Sequence, residues 1–169
     1  MTLSPAWRKL VLVLHITSSV GFMGAVAGFL ALAIAGATMT DTMLGSGVYV
    51  AMRVLTWTVI VPLALASLLV GLLQSLGTPW GLFRYYWVIV KLALTLVALV
   101  VLLLQTQIVD MLASAAQAGA LGTMGASRFS MVLHGAGGLV VLTVANVLSV
   151  YKPPGLTAYG SRALAVRSA

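Results

Sequence analysis

Four long apolar runs, separated by short stretches that hold nearly all the charge, set the pattern of this chain. No Asp, Glu, Lys or Arg occurs between Leu10 and Thr40, Val54 and Phe83, Leu92 and Val109, or Phe129 and Tyr151. The runs hold 31, 30, 18 and 23 residues, against the roughly 20 helical residues that cross a bilayer core of about 30 Å. They are continuous rather than alternating, and a lipid-exposed helix satisfies its backbone groups within a single segment. The pattern predicts an all-α, polytopic membrane protein, a four-helix transmembrane bundle over residues 1–155. Its helices are expected at about 9–36, 50–76, 84–109 and 129–151, followed by a basic cytoplasmic tail over 156–169.

Breakers and small residues fill the gaps. Gly77-Thr78-Pro79-Trp80-Gly81 reads as a tight turn, with Trp80 suited to the headgroup layer. Asp41-Thr42 and Gly45-Ser46-Gly47 read as the first external loop, and the Ala-, Gly-, Ser- and Met-rich stretch 110–128 as a surface loop with at most a short interfacial helix. Lys152-Pro153-Pro154-Gly155 stops the last helix, because Pro cannot continue it. Pro62 falls inside the second run and leaves the Thr58 carbonyl without its helical donor, which predicts a kink.

Composition agrees with the pattern. Hydrophobic residues make up 62% of the chain and charged residues 7%, with mean hydropathy +1.14, far outside the soluble globular range. The 169 residues are read as one bundle. No cysteine is present, so disulfides and thiolate chemistry are excluded. The net charge of +7 does not indicate nucleic acid, because the charges sit at helix ends rather than on one amphipathic face. Arg8 and Lys9 ahead of an apolar run with Ala31-Leu32-Ala33 have the order of a signal peptide. That run far exceeds the roughly 7–15 residues of a cleaved apolar region, so the first segment is read as a retained span.

The charges also carry a topology. Arg8, Lys9, Arg84, Lys91, Lys152, Arg162 and Arg167 fall on one side, and Arg53 and Arg128 on the other with both acids, Asp41 and Asp110. By the positive-inside rule both termini and the 77–83 turn are expected in the cytoplasm.

Ionisable residues inside a span are costly, so each is a candidate site residue. His15 lies six residues past Lys9, Lys91 seven past Arg84, and Asn146 six before Lys152, while Gln74 closes the second helix. These four are expected at one depth, as a polar pocket on the cytoplasmic side. An external-side set comprises Arg53, Gln105 and His134, with Trp57 one turn beyond Arg53. Helical phase aligns Trp87, Lys91, Thr95, Ala98, Leu102 and Gln105 on one face of the third helix. It aligns Arg53, Trp57, Ile60, Ala64, Ser67, Gly71 and Gln74 on one face of the second, and His15, Ser18, Ser19 and Phe22 on the first. Gly24 and Gly28, and Gly135, Gly137 and Gly138, are expected to let helices approach closely. No metal-ligand motif is present, and no metal site is expected.

His15-Ile16-Thr17-Ser18-Ser19-Val20-Gly21-Phe22-Met23-Gly24, Val61-Pro62-Leu63-Ala64, the stretch Leu76 to Trp87 with Lys91, and Ser149-Val150-Tyr151-Lys152-Pro153 together resemble an uncharacterised bacterial integral-membrane family (domain of unknown function 2269). The resemblance covers nearly the whole chain and implies a four-helix inner-membrane protein without an established activity. His15, Phe22 and Gly24 are more distantly similar to the J-type protoporphyrinogen oxidase and copper-resistance D families, and Trp87, Lys91, Leu92 and Leu94 to the J-type oxidase alone. By that resemblance His15 and Lys91 are cofactor-binding positions, with b-type haem or porphyrin as the cofactor. The J-type pattern has a further His downstream of its Lys, where this chain has Gln105.

Three functions remain open on these grounds: a redox or haem/porphyrin-associated membrane protein, a small-solute or ion permease acting as an oligomer, and an accessory subunit of a membrane complex. Both histidines lie about 9 Å in from opposite faces at 1.5 Å per residue. In a core of roughly 30 Å that separates them by on the order of 10–15 Å along the normal, so one haem held by both is disfavoured. The permease reading lacks an embedded carboxylate for a proton relay and any visible inverted repeat. The expected partners are the lipid bilayer and a second copy or another membrane protein.

Overall fold

The computed structural model describes residues 4–39, 42–78 and 81–162. Five long α-helices follow in order among the described residues: α1 (Pro5–Thr38), α2 (Thr42–Leu55), α3 (Val61–Gly77), α4 (Tyr86–Gln117) and α5 (Gly125–Tyr151). A π-helical turn, Thr56–Ile60, joins α2 to α3 without a break, so the two form one span. The result is an all-α bundle of four spans, each long and apolar enough to cross a membrane. In α4 only 6% of the most apolar window is buried, leaving Val97, Val100 and Leu104 with no protein to cover them. Side chains of this kind face acyl chains, and the chain is a multi-pass membrane protein.

Short connections make neighbouring spans antiparallel. Span one (α1) packs on α2–α3 and on α5, and α4 packs on the same two, which puts α1 and α4 on a diagonal. Two ends result. The terminal end holds the start of α1, the α3–α4 turn and the end of α5, and the loop end holds the other connections.

The helices run past the boundaries that the charge pattern predicts. α1 covers 5–38 rather than 9–36, and α5 begins at Gly125 rather than 129. The second span begins near 42 rather than 50, so Gly45-Ser46-Gly47 is helical and not loop. Tyr49 and Met52, 1% exposed each, draw this segment against α1 and α4. α4 likewise runs to Gln117, through residues expected in a loop, because the Ala-rich stretch is a strong helix former whose Leu112 and Ala113 are wholly buried. It ends in a Schellman motif: Gly119, at φ +69°, donates to Ala116, and Ala120 donates to the Ala115 carbonyl. α4 starts at Tyr86, two residues later than expected, after an irregular stretch that pairs with the chain beyond α5. Asp41, Pro79, Trp80, Arg167 and the rest of the tail beyond residue 162 lie outside the described residues.

Pro62 has the local effect its missing N–H dictates. The turn before it widens, with the Val61 N–H reaching back five residues to the Thr56 carbonyl. Thr56 and Thr58 donate their hydroxyls to the Met52 and Val54 carbonyls at 2.8 and 2.7 Å.

The apolar core lies toward the loop end, built from Phe22, Phe29 and Ala33 of α1, Tyr49 and Met52 of α2, Ile60, Leu112 of α4 and Met131 of α5. Arg128 ties it together. Its guanidinium donates to the Tyr49 hydroxyl at 3.0 Å and to the Gly36 carbonyl, satisfying an orphan group in the last turn of α1. Gly36 is required there, since a Cβ would stand 2.9 Å from the Tyr49 ring. The Gly24/Gly28 spacing does not serve this purpose: nothing approaches Gly24 within 4 Å, and Gly28 only meets Leu55 at 4.0 Å. Between spans the close approaches fall instead at Gly21, Gly36, Gly71 and Gly135, and nothing approaches Gly137 within 4 Å.

Candidate functional site

At the terminal end the bundle is hollow. A cavity of about 500 Å³ lies among all four spans, lined by His15 and Ser19 from α1, Ser67, Gly71 and Gln74 from α3, Trp87, Lys91 and Thr95 from α4, and Asn146 and Ser149 from α5. The four residues expected to share a depth therefore do share a cavity. The predicted stripes explain it: Trp87, Lys91 and Thr95 stand one turn apart on α4, while Ser67, Gly71 and Gln74 do so on α3.

Lys91 is the centre of the arrangement. Its Nζ donates to Ser149 Oγ at 2.6 Å and lies 3.3 Å from His15 Nε2, across the diagonal of the bundle. The Ser149 hydroxyl itself donates a hydrogen bond to the Ala145 carbonyl at 2.9 Å. The His15 ring is held from behind by Gly71, where a Cβ would come within 2.9 Å of Cε1. A hydroxyl contact at 2.8 Å between Ser19 and Ser67 joins the two helices beside it. Asn146 donates only to the Met23 sulfur, at 3.4 Å. His15 Nδ1 and Gln74 Oε1 are buried with no hydrogen-bond partner among the described residues.

The cavity is lined by Lys91 and Lys152 and by no carboxylate among the described residues. The chain has two side-chain carboxylates in all, Asp41 and Asp110. Asp110 lies toward the opposite end of α4, 3.0 Å from Arg53 Nε and 3.1 Å from Trp57 Nε1. Lys152, which ends α5 in the left-handed conformation at φ 43°, adds a second cation to the cavity wall. An ammonium in a membrane interior is severely penalised unless an anion or several polar groups surround it.

A fit test against the cofactor that the sequence resemblance implies gives a divided answer. Iron ligation by His15 does not fit: Nε2 is engaged with Lys91, and the Nδ1 edge is packed at Gly71, 3.4 Å from the position of an added Cβ. A carboxylate beside Lys91 does fit, because the ammonium has three donors and two of them have acceptors among the described residues.

The external-side set divides. Arg53 pairs with Asp110 at the bundle surface, whereas Gln105 and His134 meet each other at 2.9 Å beside a second, smaller cavity of about 200 Å³. His15 and His134 thus belong to separate cavities. Sequence reasoning missed Ser149, whose hydroxyl is the shortest contact of Lys91. The signal was available, since Ser149 lies three residues beyond Asn146 on the same helix face.

No family model, curated protein or solved structure matches the chain.

Proposed function

We propose that the protein binds an anionic amphiphile in the terminal-end cavity, with Lys91 taking the carboxylate and the apolar walls taking the body. The observation that carries this reading is Lys91 itself, held among the spans with a hydroxyl and an imidazole as partners and no acid among the described residues. The volume of about 500 Å³ falls within the roughly 300–1,000 Å³ of ligand pockets. The ligand class we assign is a tetrapyrrole carboxylate, for which the likeness at His15 and Lys91 supplies the support. His15 then positions the Lys91 ammonium from one side and Ser149 from the other. Gln74 and Asn146 offer amide hydrogen bonds to polar edges of the ligand.

The same proposal includes an orientation: a bacterial inner-membrane protein with the cavity opening toward the cytoplasm. Arg8, Lys9, Arg84, Lys152 and Arg162 flank the terminal end, while Arg53 and Arg128 at the other end are bound within the protein. Cysteines at Tyr159 and Gly122, probed with an impermeant thiol reagent in intact cells, should label at residue 122 alone.

Titration of the purified chain with protoporphyrin and with its dimethyl ester tests the ligand class by absorbance. The free acid should bind at least about tenfold more tightly than the ester, and Lys91→Met should abolish that preference. Equal binding of acid and ester, or no binding of either, overturns the reading.

A further inference from the structure

The second cavity, about 200 Å³ in volume, lies between α1, the π-helical turn, α4 and α5. Phe22, Phe29, Ile60 and Met131 give it apolar walls, Gln105 and His134 form a polar edge, and the Thr56 and Thr106 hydroxyls, also in its lining, donate to carbonyls of their own helices. It shares no lining residue with the cavity that holds Lys91.

Proton positions at this edge follow from the geometry. His134 Nδ1 lies 2.7 Å from the Ser130 carbonyl, which only accepts, so Nδ1 holds the proton of the neutral ring. Nε2 is then the acceptor, and the group 2.9 Å away must be the amide N–H of Gln105. That fixes the orientation of the Gln105 amide at the cavity wall. Oε1 is buried and has no hydrogen-bond partner among the described residues. A buried acceptor left unpaired costs about 1–3 kcal/mol, and here the missing group is a donor.

The cavity also limits what that donor is attached to. An engineered cavity of about 150 Å³ lined by apolar side chains holds benzene, so this one accommodates a single substituted ring. Two aromatic side chains, Phe22 and Phe29, stand along its wall, and edge or offset contacts favour an aromatic guest. No carboxylate is present to accept a cationic donor. His134 is exposed on α5, which leaves this edge open at the bundle surface.

We propose that this cavity is a binding site for a phenolic ring that enters from the membrane and donates its hydroxyl to Gln105 Oε1. Membrane-soluble hydroquinones and alkyl phenols share this chemistry. His134 is a positioning residue that holds the Gln105 amide through Nε2 and is itself held by Ser130.

The test is calorimetric titration of the full chain in mild detergent with 4-propylphenol and with 4-propylanisole, which has the same ring and no donor. The phenol should bind at one site at least about tenfold more tightly than the ether. Gln105→Leu should remove the difference. Ala98→Phe, which fills the cavity from α4 and leaves Gln105 in place, should remove binding altogether, and it carries the test where Gln105→Leu fails to fold. Lys91→Met should leave phenol binding unchanged, so failure of the tetrapyrrole reading is distinguishable from failure of this one. A short-chain hydroquinone that binds more tightly than the alkyl phenol points to hydroquinone as the natural source, and equal affinity points to alkyl phenols; either outcome upholds the site. Equal binding of phenol and ether, or a preference that survives Gln105→Leu, overturns it.

Discussion

At the loop end Arg128 places its donors on Tyr49 and on the last turn of α1, and Arg53 meets Asp110. At the terminal end Lys91 meets a hydroxyl, an imidazole and a cavity. Both regions contain cations within the same bundle, but the arginines meet protein partners where Lys91 borders open space. Around Arg128 the helices converge on Tyr49, Leu112 and Met131, all essentially inaccessible. Around Lys91 the walls stand apart and leave polar atoms unpaired. The difference separates a charge that ties helices together from one that borders a cavity.

Substitutions should sort by end. Arg128→Ala should have the largest effect, since it orphans the Tyr49 hydroxyl and the Gly36 carbonyl together. A loss of about 3 kcal/mol is expected, read as a melting temperature about 6–12 °C lower in detergent. Gly36→Ala should follow, because its Cβ meets the Tyr49 ring at 2.9 Å and overpacking of this kind costs about 1–3 kcal/mol. Gly71→Ala intrudes equally, 2.9 Å from His15 Cε1, but beside a cavity into which the ring can move. Its stability should change by less than about 1 kcal/mol, while the preference for acid over ester should fall several-fold in the absorbance titration. Lys91→Met should be smallest in a thermal melt, unchanged or about 1 kcal/mol more stable, because an apolar side chain replaces an uncompensated charge. A destabilisation by Lys91→Met as large as that by Arg128→Ala would erase the distinction between the two ends.

The terminal end was the more legible in the sequence. His15, Lys91, Gln74 and Asn146 converge because flanking charges measure depth and helical phase measures direction, and both are local quantities. Arg128 was read as a topology marker, because nothing near it in the chain announces Gly36, 92 residues away. The starts and ends of helices were misplaced at 42–49 and 110–117 for a related reason. A charge-free run reports what lipid tolerates, whereas a helix continues for as long as its backbone and packing favour it. Gly24 and Gly28 show the limit of spacing alone: a short repeat of glycines creates a groove only where another helix lies against it.

The segment beyond α5 has a consequence for how the protein is made. Leu156 bridges Tyr85, the Thr157 N–H donates to the Arg84 carbonyl, the Thr157 hydroxyl donates to the Phe83 carbonyl, and Gly155 accepts from Tyr86. These contacts join the chain just after α5 to the turn just before α4, directly at the end of the bundle that holds the Lys91 cavity. During synthesis residues 83–86 leave the ribosome long before residues 155–157, so this clasp forms only after α5 has been inserted. The first three spans can settle in the bilayer as an open sheaf, with the cavity's fourth wall still missing. The cavity's fourth wall is therefore in place only once α5 is inserted and Thr157 is fastened.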